Sequence, residues 1–247
     1  MSLKIGTNLT NFFSINFDIT KRKKKSIKFI IIHYTGMKSE KNAIKRLCDS
    51  RSKVSAHYFI KNSGKVMCLI PDLYIAWHAG KSSWKKFKSI NKYSIGIEIS
   101  NPGHDNGYKK FSSKQIFSLV NLLKFLMKKY NISKQNILGH SDISPDRKKD
   151  PGEKFPWLKL AKKNMCKFHN LNETKIKKYR NLKLKSFEEK KFLNNLYKIG
   201  YSKVNKIKYR KNKINLVKTF QRKFRQNLIN GKIDKECFLI SKNLIKL

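Results

Sequence analysis

Residues 28–34 contain four consecutive apolar residues, FIII, three of them β-branched, and a histidine, His33, follows this run. A short apolar run of this composition predicts a buried central strand. Residues 93–100, YSIGIEIS, predict a second strand, in which alternate isoleucines face the core and Glu98 points away from them. A threonine and a glycine end the first strand, which places His33 where a sheet delivers a side chain to a cleft.

A long amphipathic helix is predicted after these strands. Ser112 or Ser113 can cap it, and it continues to about Tyr130 with apolar residues at i, i+3, i+4 spacing. Runs at 56–60 and 65–70 flank an Asn-Ser-Gly turn and predict a hairpin. The other elements predicted here are a helix over 40–51 and a short strand over 136–139. Strands and helices that alternate in this way indicate an α/β domain.

The charge of the chain is its most unusual bulk property. Its 247 residues include 58 Lys+Arg and 15 Asp+Glu, a formal net charge of +43. Such a charge favours polyanions, among them nucleic acids and anionic cell-wall polymers. The lysines are spread over the whole chain, and no nucleic-acid-binding signature accompanies them. We therefore expect a solvated basic surface and no specific nucleic-acid partner.

The cysteines and the apolar runs bear on the compartment. The four cysteines form no C-x-x-C pair, which favours free thiols in a reducing compartment. The apolar patch at 12–17 is too short and too interrupted to predict a secretory signal. No window approaches the roughly 18 apolar residues of a membrane span. These features predict a cytoplasmic protein without a membrane span, with the cell envelope as the alternative location, and we expect a monomer.

The segment at 137–157, ILGHSDISPDRKKDPGEKFPW, is the strongest candidate for a functional site. Pro145 prevents it from forming one helix, so we expect a loop. His140 and Asp150 offer an imidazole and a carboxylate, which are suitable zinc ligands. A catalytic zinc site needs a third protein ligand, and His33 is the best candidate. The alternative for His33 is a buried histidine of the core.

Five motifs follow one another in the chain: FIIIHYTG at 29–36, VSAHYFI at 54–60, AWHAG at 76–80, SIGIEI at 94–99 and the segment at 137–157. Together they resemble the zinc-dependent N-acetylmuramoyl-L-alanine amidases of the amidase-2 type over roughly residues 27–160. The resemblance implies an α/β fold with a mixed central β-sheet flanked by helices, like that of peptidoglycan-recognition proteins. It implies hydrolysis of the amide bond between N-acetylmuramic acid and L-alanine in peptidoglycan or muropeptides.

The resemblance also implies roles for individual residues. One zinc ion (Zn2+) per chain would be bound by His33, His140 and Asp150. Glu98 would be the general base toward water, and Lys148 would stabilise the oxyanion. The substrate groove would include Tyr34, Trp77, His78 and Asn101. His57 is expected to be structural. Some relatives lose a ligand and only bind peptidoglycan, which is the alternative function, but this chain keeps every one of these groups.

The C-terminal part predicts three helices. An S-x-x-E capping box at 186–189 begins the first, apolar residues between 214 and 228 mark the second, and Asp234 can cap the third. The segments at 196–201 and 217–238 resemble a small three-helix peptidoglycan-binding domain, with a plain helical appendage as the alternative. The resulting division is a catalytic domain at 1–168, ending in a helix over 156–168, a linker at 169–185 and a helical domain at 186–247. Residues 1–26 carry little signal.

Overall fold

The computed structural model of the protein describes residues 13–204 and 207–247. Its strands are β1 (Phe17–Asp18), β2 (Phe29–Tyr34), β3 (Tyr58–Ile60), β4 (Val66–Cys68), β5 (Ile75–Ala76), β6 (Ser83–Trp84), β7 (Phe87–Lys88), β8 (Ser94–Ile99) and β9 (Ile137–Gly139). Its α-helices are α1 (Glu40–Cys48), α2 (Ser113–Tyr130), α3 (His140–Ile143), α4 (Trp157–Lys162), α5 (Glu173–Lys177), α6 (Ser186–Ile199), α7 (Tyr209–Phe224) and α8 (Lys235–Lys246).

The central sheet has five strands in the order β4-β3-β8-β2-β9. β3, β8, β2 and β9 run parallel, and β4 is antiparallel to β3, so the predicted mixed sheet is confirmed. His33 in β2 lies directly opposite Glu98 in β8, and Ile32 lies opposite Gly139, the last residue of β9. The register therefore brings His33, Glu98 and the residue after β9 to the same edge, where parallel sheets bind ligands.

Two clusters of buried apolar residues pack the helices against the central sheet. The larger contains isoleucines of β2 and β8, leucines of α2 and apolar residues of the C-terminal helices. The smaller joins α1 to the β3–β4 hairpin through Ile44, Leu47, Phe59 and Met67. Burial of these side chains is the main favourable contribution to folding. Because the larger cluster is continuous, the C-terminal helices share a core with the catalytic sheet.

The capping residues predicted for α2 and α8 are confirmed, whereas α1 is shorter than predicted. Ser112 accepts a hydrogen bond from the Gln115 amide, and the Gln115 side chain accepts one from the Ser112 amide, which is the capping box of α2. Asp234 caps α8 by accepting from the Cys237 amide. The helix predicted over 40–51 ends at Cys48, because Asp49 takes an extended conformation before a separate 3-10 turn.

The helices between residues 156 and 228 differ from the prediction in their ends. The helix predicted to reach residue 168 stops at Lys162, and α5 lies inside the predicted linker, with Ile176 buried. The predicted capping box of α6 does not form: Lys185 precedes the helix and its side chain cannot accept, and Glu188 rather than Glu189 accepts from the Lys185 amide. Helix α7 ends at Phe224, so residue 228 lies beyond it.

The N-terminal segment packs on the catalytic part as far as it is described. β1 pairs antiparallel with β5, and the buried Arg22 guanidinium donates to the carbonyls of Asp72, Asn91 and Ser94. Residues 1–12 of the segment predicted to carry little signal lie outside the described ranges. Among the described residues, no helix is long and apolar enough to cross a membrane. All four cysteines are free thiols.

Candidate metal centre

Three predicted ligands, far apart in the sequence, meet at the edge of the sheet. His33 Nδ1 lies 2.9 Å from His140 Nδ1, and each nitrogen lies 3.1 Å from Asp150 Oδ2. All three residues are buried. β2 carries His33, α3 begins with His140, and the loop after α3 carries Asp150. The segment predicted as a loop therefore begins with one helical turn that places His140 beside His33.

Hydrogen bonds behind His33 fix the tautomer of its imidazole. The Ser94 hydroxyl donates to the Ile90 carbonyl (2.7 Å), so its oxygen accepts from His78 Nε2 (3.1 Å). His78 Nδ1 therefore carries no hydrogen and accepts from His33 Nε2 at 3.0 Å. His33 Nδ1 is left as a bare lone pair directed at His140 and Asp150, the arrangement that second-shell partners impose on metal-binding histidines.

The same reasoning applies to His140. Its Nε2 lies 3.2 Å from the Ala79 carbonyl, which can only accept, so Nε2 carries a hydrogen, and in the neutral ring Nδ1 keeps its lone pair. With both rings neutral, as metal binding requires, two nitrogen lone pairs and a carboxylate oxygen face one another. A shared cation removes this repulsion, and the separations suit metal–ligand bonds of about 2.0–2.2 Å. The residues present therefore fit a zinc ion.

The pKa values of His33 and Asp150 favour the forms of these side chains that bind a metal. Burial, and then the neighbouring His140, lower the pKa of His33 to about 4, so its imidazole is neutral at pH 7. Burial alone would raise the pKa of Asp150, but positive charge and hydrogen bonds from the two imidazoles in the absence of a metal hold that pKa well below its ordinary value, and a bound cation would supply the same charge. Neutral imidazole and ionised carboxylate are the forms that bind a metal.

Gly96 in β8 makes the support behind His33 possible. A Cβ atom on this residue would lie 2.4 Å from His78 Cγ, far inside any permitted contact. The glycine lets the His78 ring lie flat on the sheet and reach His33. A glycine inside a strand often marks such a close approach. The glycine in SIGIEI is therefore a sequence signal for this contact, although it does not identify His78 as the partner. His78, predicted in the substrate groove, lies behind His33 and is also among the residues that line the cleft.

A cleft of about 490 Å³ opens at the cluster, and both predicted catalytic groups line it. Glu98 Oε2 is buried and has no hydrogen-bond partner among residues 13–204 and 207–247. Burial, and then the charge of Asp150, raise the pKa of Glu98 to about 8. Lys148 lies on the loop that carries Asp150, and half-buried Tyr34 and Trp77 also line the cleft. The carboxyl group of Glu98 and the ammonium of Lys148 thus adjoin the ligand cluster.

Asn101 and His57 have structural contacts. The buried Asn101 amide donates to the Lys109 carbonyl, and its oxygen accepts from the Gly103 amide, so this side chain orders the loop beside the cleft. His57 Nδ1 accepts from the Gly96 amide, and burial lowers the pKa of His57 to about 3. His57 is outside the ligand cluster, as the sequence analysis expected.

Two features of the cleft rim were missed. Tyr34 contacts His104 at 2.8 Å from its hydroxyl to Nδ1, and His104 Nε2 lies 3.1 Å from Glu153 Oε2. Arg147 is exposed, but it donates to the carbonyls of Ala79 and Lys81. The contacts of Tyr34 and Arg147 join residues 66 or more positions apart in the sequence, and the His104–Glu153 contact bridges separate loops. No local sequence pattern indicates them.

The fold places a three-residue ligand set and the carboxyl group of Glu98 at one cleft. A family profile described as N-acetylmuramoyl-L-alanine amidase, Amidase_2, matches residues 23–153. The chain therefore belongs to this amidase family and is an enzyme of that class.

Similar proteins agree with this assignment. N-acetylmuramoyl-L-alanine amidase AmiD of Escherichia coli is 30% identical over 232 residues, which is 89% of this chain and 83% of AmiD. The 1,6-anhydro-N-acetylmuramyl-L-alanine amidase AmpD of Haemophilus influenzae is 40% identical over 106 residues, 42% of this chain and 55% of AmpD. The similarity to AmiD thus includes the C-terminal helices.

Solved structures show the same fold. AmiD, in complex with anhydro-N-acetylmuramic acid-L-Ala-D-gamma-Glu-L-Lys, superposes with a TM-score of 0.79 at 29% identity, covering 93% of this chain and 92% of AmiD. AmpDh3 of Pseudomonas aeruginosa, in complex with anhydromuramic pentapeptide, superposes with a TM-score of 0.77 at 27% identity, covering 93% and 95%.

Proposed function

We propose that this chain is a zinc-dependent amidase that cleaves the bond between N-acetylmuramic acid and L-alanine in peptidoglycan fragments. The observation that carries the proposal is the meeting of three ligand atoms, from His33, His140 and Asp150, in the lining of a cleft. Two imidazoles and a carboxylate form a three-ligand set typical of catalytic zinc. Bound zinc would act as a Lewis acid and lower the pKa of water toward about 7.

Glu98 is proposed to move the proton. Its carboxyl group lies near the end of β8 opposite His33, and one of its oxygens has no partner in the part of the chain that the structure describes. It would accept a proton from the attacking water and then donate that proton to the leaving amine. Because the pKa of Glu98 is raised to about 8, its proton affinity suits both transfers near neutral pH.

Lys148 is proposed to stabilise the oxyanion that develops at the carbonyl. An ammonium in a partly water-excluded cleft stabilises such charge more strongly than it would in water. Tyr34 and Trp77 would contact the sugar or the peptide, since both line the cleft. His78 is proposed to support His33, and Asn101 to shape the cleft edge. The muropeptides in the AmiD and AmpDh3 complexes support a muropeptide as the substrate.

The test is peptide release from a purified anhydro-muropeptide, followed by mass spectrometry. We expect release with zinc, none after treatment with a chelator, and recovery when zinc is restored. His140→Ala should release nothing. Muropeptide binding without release at saturating zinc would contradict the hydrolase and support the alternative of a non-catalytic peptidoglycan-binding protein.

We further propose that the C-terminal helices bind peptidoglycan. Beside the first turn of α7 lies a depression of about 550 Å³, lined by Tyr209, Ile214, Asn215 and basic residues. Aromatic, amide and cationic groups suit a polymer of sugars and acidic peptides. Tyr209→Ala should weaken co-sedimentation of the chain with purified sacculi, whereas Lys242→Ala, on α8, should not. Retention equal to that of the unchanged chain would contradict this role.

The domain boundaries, the monomeric state and the cytoplasmic location remain predictions. Limited proteolysis tests the division at 169–185, where α5 and buried Ile176 make cleavage slow if they stay packed. Size-exclusion chromatography with light scattering tests the monomer, and cell fractionation tests the compartment.

A further inference from the structure

A buried carboxylate two residues after His140 joins the metal-binding segment to the C-terminal helices. Asp142 Oδ2 accepts from Lys223 Nζ of α7 (2.7 Å) and from the Gly139 amide (2.8 Å). Asp142 Oδ1 accepts from the Tyr201 hydroxyl, just after α6, at 2.8 Å. We call Asp142, Tyr201 and Lys223 the Asp142 anchor. The three residues are only 2%, 3% and 5% exposed.

Lys223 contacts both ends of the segment at 137–157. Its ammonium lies 3.4 Å from the Ile137 carbonyl, before His140, and 4.4 Å from the centre of the Trp157 ring, after Asp150. Within the segment, the Ser141 amide donates to the Asp150 carbonyl at 2.9 Å. One cation from α7 therefore holds the strand, the helical turn and the end of the loop that carry two of the three ligands.

The burial of this pair indicates a specific role. Lysine is rarely buried unless it is paired, because its charge loses the solvation of water. Apolar packing alone could attach the C-terminal helices to the catalytic part, as it does between Phe168 and Phe224 of α7. A buried ion pair with hydrogen bonds to defined atoms fixes orientation more narrowly than apolar contact, and His140 needs that orientation to direct Nδ1 at the cluster.

We infer that the C-terminal helices complete the metal centre, with Lys223 and Tyr201 as positioning residues that act on His140 through Asp142. The inference rests on the zinc site proposed above. It gives the C-terminal helices a role in the catalytic site that is separate from any binding of peptidoglycan. Because these residues do not touch the metal, their loss should weaken zinc binding without abolishing it.

The experiment measures zinc affinity by competition with a chromophoric chelator, and folding by circular dichroism and thermal unfolding. Lys223→Met keeps the length of the side chain and removes its charge. We expect its dissociation constant for zinc to rise about tenfold, at the lower end of the effects seen for second-shell partners. The control is Arg180→Met, which breaks the pair of Arg180 with buried Glu236 (2.7 Å), away from the segment at 137–157. It should lower the melting temperature and leave zinc affinity unchanged.

A double variant separates positioning from loss of packing. Lys223→Met leaves the Asp142 charge buried without its cation, and adding Asp142→Asn removes that charge. The double variant should regain part of the zinc affinity. If Lys223→Met does not fold, Tyr201→Phe, which removes one hydroxyl, carries the test, with a smaller loss in the same direction.

Each outcome bears on one claim. Zinc affinity of a folded Lys223→Met variant within twofold of the unchanged chain would overturn the inference, and so would equal losses in Lys223→Met and Arg180→Met. Failure of the unchanged chain to bind zinc would instead overturn the proposed metal site. The two failures are therefore distinguishable.

Discussion

His33 and Glu98 are held in a different way from His140 and Asp150. The first two lie on β2 and β8, where backbone pairing fixes them opposite each other in the middle of a five-stranded sheet. The other two lie on a segment with one short strand and one helical turn, which side-chain contacts from distant parts of the chain hold in place. A sheet positions groups through its register, whereas a loop needs partners from elsewhere.

The two pairs of residues therefore depend on different supporting contacts. His33 can bind a metal through Nδ1 only in the tautomer that carries its hydrogen on Nε2. The hydrogen bonds that link His33 to His78 and His78 to Ser94 select this tautomer. His140 and Asp150 depend instead on contacts that fix the backbone of their segment. These contacts come from Arg147, Ser144 and the Asp142 anchor. The variants below test the difference, beginning with the largest expected effect.

Removing one ligand from either region should destroy the centre. His33→Ala and Asp150→Ala should each lower hydrolysis by on the order of 10³-fold or more, because the chemistry depends on the bound metal. Zinc content after dialysis and the rate of peptide release are the two measurements. A sheet ligand whose loss spared activity would show that the two regions do not share one ion.

Replacing Glu98 should separate catalysis from metal binding. Glu98→Gln should lower the turnover rate by about 10²- to 10⁴-fold, the usual contribution of a general base. Zinc affinity should stay within about twofold, because Glu98 is not one of the ligands. A parallel loss of zinc would contradict the assigned role.

The same variant should stabilise the metal-free protein. The pKa of Glu98 is raised from an ordinary 4.5 to about 8 in the folded state, so between these pH values the folded chain keeps a proton that the unfolded chain loses. The contribution of Glu98 to stability therefore falls as pH rises through this window. Relieving a buried, unpartnered carboxylate should contribute about 1–3 kcal/mol. Urea unfolding at pH 5 and pH 8 should show the larger gain at pH 8.

Gly96→Ala tests the support of the ligand on the sheet. The added methyl group would collide with His78 and push it away from His33. Zinc affinity should fall by about 10- to 100-fold, as for other second-shell changes. Ile95→Val is the matched control on the same strand. It should cost about 0.5–1.5 kcal/mol of stability and leave zinc affinity unchanged.

Ser94→Ala should give the smallest effect. It removes the acceptor of His78 Nε2, so His78 and His33 lose the preference for one tautomer. We expect zinc affinity to fall by less than about tenfold, because the imidazoles remain in place. Ser94→Thr, which keeps the hydroxyl, should restore it. An unchanged affinity in Ser94→Ala would show that the sheet alone orients His33.

Local patterns predicted a large part of this fold. The apolar run before His33, the alternation around Glu98 and the cap at Ser112 depend on neighbours within a few residues, and the structure has β2, β8 and α2 there. The ends of α1 and α4 were wrong, because a helix end depends on backbone turns that periodicity does not encode.

The supports of the site could not be predicted in the same way. The His33–His78 contact spans 45 residues and the Lys223–Asp142 contact spans 81. Lys223 lies among many lysines, and its sequence neighbours do not mark it as buried. Only the fold decides which lysine of so basic a chain meets a buried carboxylate.

The most direct test of the account is a crystal structure of the chain grown with zinc and measured at the zinc absorption edge. The account predicts one anomalous peak, about 2.0–2.2 Å from His33 Nδ1, His140 Nδ1 and Asp150 Oδ2. The ion should have its remaining coordination position open to the cleft beside Glu98. A peak elsewhere, or a peak that one of the three side chains does not reach, would contradict it.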